Sequence, residues 1–89
     1  MNKVVAKSRH IPTDDDVYIG PGSEWENPFE LTIDGSRKEI LEKYRAWAEY
    51  NDSIKENLYK LKNKILVCNC KPRPCHGDIL AEMIKNDNI

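Results

Sequence analysis

The chemistry-bearing side chains of this chain gather in one short stretch: Cys68-Asn69-Cys70-Lys71-Pro72-Arg73-Pro74-Cys75-His76-Gly77-Asp78. All three cysteines lie within it. Three chemistries suit such a set. A small anion, above all a nucleotide phosphate, fits the unpaired N–H groups and positive dipole end of a helix starting near Cys75 and His76. Arg73 and Lys71 would add charge, and Gly77 would let a ligand or another backbone approach closely. A second chemistry is nucleophilic, with Cys75 as a thiol activated by the helix start and His76 as acid or base. A third is zinc bound by Cys68, Cys70, Cys75 and His76, although adjacent Cys-His ligands fit a tetrahedron poorly and two separated pairs are the usual spacing. Beside these stands a plain structural reading: cysteines are often small buried hydrophobes, and His76 and Asp78 serve as helix caps.

Other residues join the candidate site. Gly20 ends a strand, and Trp25 and Asn27 sit in the loop that follows. Trp25 stacks on a base in one reading and anchors its loop to the core in the other, which is favoured. Asn27 either contacts a ligand or fixes its own turn ahead of Pro28. Arg37 falls in the first turn of a helix, where a cation is mildly unfavourable, so a partner anion is expected nearby.

The elements that must position these residues follow from spacing. Val4–Ala6 and Val17–Ile19 read as short strands. Only about ten residues link them, short for a helical crossover, so the two are expected to be antiparallel. Ser36 and Glu39 have capping-box spacing ahead of a helix over about 37–50, with Ile40, Tyr44 and Trp47 as its apolar stripe. Asn51-Asp52-Ser53 breaks that helix, and Ile54, Leu58 and Leu61 mark a shorter one ending near Asn63. Ile65-Leu66-Val67-Cys68 reads as a buried central strand, and Asp78–Lys85 as the last helix. Residues 86–89 are expected to fray. The fold class is α/β: a small mixed sheet of about three strands with three helices, in the order β-β-α-α-β-α, as one domain over 1–89.

Composition narrows the function. With 89 residues, 39% hydrophobic and 33% charged, the chain is long enough for one small core and too apolar for a disordered chain. A net charge of -1 makes nucleic-acid binding an unfavoured expectation, since no global basic field is present. The apolar runs are too short for a membrane span. An odd cysteine number confined to eight positions favours reduced thiols and a cytoplasmic location. The leading expectation is therefore a small cytosolic protein that binds a nucleotide-derived or other small anion at Gly20, Trp25, Asn27, Arg37, Cys70, Arg73, Cys75, His76, Gly77 and Asp78. No cofactor is expected, and the sequence leaves self-association open. The alternatives are a Cys75- or His76-dependent hydrolase or transferase acting on a nucleotide-like substrate, and a zinc-binding interaction module.

Three blocks carry a family resemblance: Val17-Tyr18-Ile19-Gly20 with Trp25 and Asn27-Pro28-Phe29; Ser36-Arg37-Lys38-Glu39 with Tyr44; and Leu66, Cys68, Cys70, Pro72 and Cys75-His76-Gly77-Asp78 with Leu80. With these the chain resembles an uncharacterised domain family, number 4326 in the domain-of-unknown-function series, over nearly its full length. The resemblance implies a compact α/β fold in short bacterial and phage proteins, and no settled activity. Sequestration of a nucleotide signal is a role that such a phage-type protein could fill. The chain departs from the family pattern at Pro21, where arginine is usual, and at Glu26, where glycine is; its second-strand loop is correspondingly less cationic.

Overall fold

The apolar run before the cysteines forms the centre of the sheet. In the computed structural model, which describes residues 2–30, 33–69 and 73–86, three strands pair side by side. They are β1 (Val4–Ala6), β2 (Asp16–Tyr18) and β3 (Ile65–Cys68), in the spatial order β1-β3-β2. Period-two alternation divides β3 between the faces. Leu66 and Cys68 enter the main core, while Val67 is buried on the opposite face.

Three helices complete the order β-β-α-α-β-α, as the sequence predicts: α1 (Arg37–Glu49), α2 (Asp52–Asn57) and α3 (His76–Asn86). The capping box of α1 is present. Ser36 Oγ accepts from Glu39 N–H at 3.3 Å, and Glu39 Oε1 accepts from Ser36 N–H at 3.1 Å. These bonds hold the Glu39 carboxyl below its ordinary range. Ile40, Tyr44 and Ala48 form the buried stripe of α1, with Leu41 and Trp47 half-buried beside it. The helix expected to run to about Asn63 is instead the six residues of α2 followed by a 3-10 turn, Leu58–Leu61. Asn63, at φ 62°, then reverses the chain into β3, a left-handed conformation that asparagine tolerates. The last helix begins at His76, two residues before the expected start. Of the tail expected to fray, Asn86 closes α3, and 87–89 lie outside the described residues.

One expectation is corrected. β1 and β2 are not an antiparallel pair; each runs parallel to β3, so the sheet is parallel rather than mixed. The short link misled because β3 lies between the two strands and all three are very short. Nine residues separate Ala6 from Asp16. Fully extended, such a link reaches roughly 30 Å, three times the ~10 Å rise of a three-residue strand. It therefore crosses the sheet without a helix. Lys7, His10 and Pro12 meet Asp16, Tyr18 and Val67 around a cavity of about 200 Å³, which places the crossing on the face of Val67. Asp16 latches it: its carboxylate pairs with His10 Nε2 at 2.9 Å and accepts from Thr13 N–H and Thr13 Oγ1 at 3.1 and 2.9 Å. Burial pushes the Asp16 carboxyl up, but the bonds from His10 and Thr13 outweigh it and hold the group below its usual range.

Candidate functional site

The strand-to-helix junction forms where the sequence places it. Cys68 is the last residue of β3, and Cys75 stands just ahead of α3. Cys75 acts as the cap of that helix. Its Sγ accepts from Gly77 N–H at 3.3 Å, its carbonyl accepts from Asp78 N–H at 3.0 Å, and its own N–H donates to Asp78 Oδ2 at 3.1 Å. This is the reciprocal logic of the α1 capping box, with a thiol in place of a hydroxyl. The consequence is chemical: two of the helix-start N–H groups expected to hold a phosphate, those of Gly77 and Asp78, are already satisfied from within the chain.

Cys75 is 1% exposed, and its Sγ lies 3.1 Å from that of Cys68, which is fully buried. The hydrogen bond with Cys68, and then burial, push the Cys75 thiol far above its ordinary value of 9.0. A nucleophile needs the thiolate, so the resting geometry holds Cys75 in its unreactive form. His76 is buried too. Its Nε2 lies 2.6 Å from the carbonyl oxygen of Ile19, and its ring meets the Tyr44 ring edge-on at 5.1 Å. That contact makes Nε2 the protonated donor nitrogen of a neutral ring. Burial drives the His76 pKa below its ordinary 6.5. The Tyr44 hydroxyl donates to the Trp25 carbonyl at 2.9 Å, and burial followed by the nearby Cys75 raises its pKa.

Several candidates thus have structural roles. Trp25, 3% exposed, anchors its loop in the core. Asn27 Oδ1 accepts from Phe29 N–H at 2.9 Å and so fixes its own turn around Pro28. Gly20 is buried against the Tyr18 ring, and its carbonyl accepts from Ser23 Oγ at 2.7 Å. A Cβ on Gly77 would fall 2.7 Å from Ile19 Cδ1 and 2.8 Å from Val4 Cγ1. The close approach at Gly77 is therefore made by the sheet. His76 and Gly77 face that packed interior rather than an open concavity. Cys70 lies outside the described residues, and Arg73 is exposed. Among the described residues no three His, Cys, Asp or Glu side chains converge as a metal site. Of the four-ligand zinc set, the described part brings together Cys68 and Cys75 but turns His76 Nε2 onto a carbonyl.

The concavity lies one step outward. A groove of about 450 Å³ runs between α1 and α3, ending at Pro74 and Cys75. Its floor includes Leu41, Pro74, Cys75 and Ile79; its charged rim carries Arg37, Lys38, Glu42, Arg45, Asp78 and Glu82. Arg45 and Glu82 neutralise each other across it at 2.6 Å. Arg37 behaves differently. Its Nη1 donates to the Pro74 carbonyl at 3.2 Å, and among the described residues it forms no ion pair. Within the described residues Arg37 thus meets a neutral carbonyl and not a carboxylate. Sequence reasoning missed Leu41, Arg45, Ile79 and Glu82. The repeats Arg37, Leu41, Arg45 and Asp78, Glu82 at helical spacing were visible, but which two helix faces meet was not.

Short parallel strands, a helix start capped by cysteine and a groove beside it define a small α/β protein of minimal architecture. The chain belongs to the family described as Domain of unknown function (DUF4326), whose model matches residues 3–86. It is 32% identical over 79 residues to the uncharacterized 12.4 kDa protein in the nrdA-td intergenic region of Enterobacteria phage T4, covering 81% of this chain and 69% of the phage protein. It is 31% identical over 88 residues to the uncharacterized protein R718 of Acanthamoeba polyphaga mimivirus, covering 79% of this chain and 67% of that protein. No solved structure matches. No described helix is long and apolar enough to cross a membrane.

Proposed function

We propose that this protein binds a small anionic ligand, nucleotide-derived or similar, in the groove between α1 and α3. The observation that carries the reading is Arg37, a guanidinium at the mouth of an apolar-floored groove with no carboxylate partner among the described residues. Lys38 lies on the same rim. Leu41, Pro74 and Ile79 offer a surface for the ligand's apolar body. The volume lies within the ~300–1,000 Å³ common for small-molecule sites. Guanidinium suits a phosphate or carboxylate because it donates a planar fork of N–H groups. Sequestration fits better than turnover, since Cys75 is held as a thiol and His76 as a neutral, engaged ring. Relatives in a phage and a giant virus suit such a role.

Thermal denaturation against inorganic phosphate and a panel of nucleotides tests this. A binder at one hundred times its Kd stabilises the fold by about 2.7 kcal/mol. That is a rise of roughly 10–20 °C in Tm for a domain of this size. Arg37→Ala should remove the rise with little change in the unliganded Tm. If no phosphate-bearing compound moves the transition, the reading fails.

A further inference from the structure

Two side chains at the junction meet in a way the groove does not use. Cys68, closing β3, and Cys75, capping α3, bring their sulfurs to 3.1 Å. Both are buried, at 0% and 1% exposure. Apolar atoms pack at about 3.5–4.0 Å, so these sulfurs are closer than packing alone requires. A disulfide bond is about 2.05 Å long, so joining them asks for a shift of about 1 Å. The backbone already delivers both atoms: β3 is fixed by pairing on both edges, and Cys75 by its three hydrogen bonds to Gly77 and Asp78.

We propose that Cys68 and Cys75 form a covalent modification site, a dithiol that small-molecule disulfides convert to an intramolecular disulfide tying the end of β3 to the start of α3. Cys75 lines the groove and Cys68 does not, so Cys75, although only 1% exposed, is the thiol nearer to solvent and the first that an oxidant meets. The Cys75 thiol gives its proton to solvent and attacks one sulfur of the reagent. The reagent's S–S bond breaks, and the departing thiolate takes up a proton. Cys68 then loses its proton and attacks the Cys75 sulfur, expelling the second reagent thiolate, which is protonated in turn. One S–S bond forms in the protein, one is lost from the reagent, and two electrons pass from the dithiol to the reagent. Because burial and the neighbouring thiol keep Cys75 protonated, exchange is slow at neutral pH and quickens as pH rises. The bond would close the segment 69–74 into a small ring and restrict the unfolded chain. It makes no use of Arg37 and is read in the ligand-free protein, so its failure is distinguishable from that of the ligand proposal.

The test incubates the full chain at about pH 8.5 with graded ratios of oxidised to reduced glutathione. Samples are acid-quenched, denatured, alkylated and mapped by mass spectrometry. At the oxidising end, Cys68 and Cys75 should be recovered as one linked species with Cys70 alkylated. Tm should rise by roughly 5–15 °C and fall back on reduction. Cys70→Ser should form the same link, which assigns the partners. Alkylation of all three cysteines at every ratio would overturn the proposal. So would a bond that includes Cys70, or one that disappears in Cys70→Ser.

Discussion

At Gly77 the identity of a single residue is dictated by the sheet beneath it. Alanine there gains at most about 1 kcal/mol of helix propensity. Its Cβ, however, meets Ile19 Cδ1 and the stiff β-branched Val4 at under 3 Å. Overpacking of that kind costs about 1–3 kcal/mol, so Gly77→Ala should destabilise the protein by about 1–2 kcal/mol, read as a lower urea midpoint. His76 next to it makes a prediction about pH. Its pKa in the fold is depressed below 6.5. Between the folded value and 6.5 the unfolded chain therefore binds more protons, and stability rises with pH. The stabilisation from neutral His76 is complete above about pH 6.5 and is lost as pH falls toward the folded value. The urea midpoint should drop from about pH 7.5 to about pH 5, and His76→Gln should lower stability overall while flattening that part of the profile. An unchanged slope in the variant would place the titration elsewhere.

Among the elements, the two long helices begin with the same device built from different atoms. At α1 it is Ser36 with Glu39, and at α3 it is Cys75 with Asp78. Both place the carboxylate three residues beyond the cap, where it returns to the cap's own N–H. Ser36→Ala should cost about 1 kcal/mol by loss of the cap, measured by chemical denaturation. It should leave the α3 start unchanged, since the caps share no partner. The α1 box was legible because serine and glutamate announce it. The α3 cap was not: a thiol is a weak acceptor, and Cys75 invited a reading as a reactive group. Asp78, taken as a ligand or cap residue, serves as the cap's return arm.

For the molecule as a whole, the unusual choice is to cover one sheet face with a nine-residue link instead of a helix. Asp16 holds that link through His10 and Thr13. Asp16→Ala should release it, so that trypsin cuts at Lys7 and Arg9 several-fold faster while the helices persist by circular dichroism. Because the Asp16 carboxyl is held below its ordinary 3.8, its hold is present above that pH and is lost as pH falls through the folded value. Equal cleavage rates in variant and parent would show that the link is secured by packing alone.

Local pattern settled the elements themselves. The stripe Ile40, Tyr44, Trp47, the Ser36–Glu39 box and the run Ile65–Cys68 encode helix, cap and buried strand through residues a few positions apart; the elements stand where the sequence puts them, with Ala48 in place of Trp47 as the third fully buried residue of the stripe. The family likeness carried by the Cys-His-Gly-Asp block was equally readable. Strand direction was not, because β3, which separates β1 from β2, comes nearly fifty residues after them and no short-range signal reports it. The site divided along the same line. Its residue types were plain, but whether Cys75, His76 and Gly77 faced a ligand or the core depended on what packed against them. Ile19, Val4 and Tyr44 fill that space, and the open groove falls to Arg37, Leu41 and Ile79, whose meeting only the docking of α1 on α3 decides.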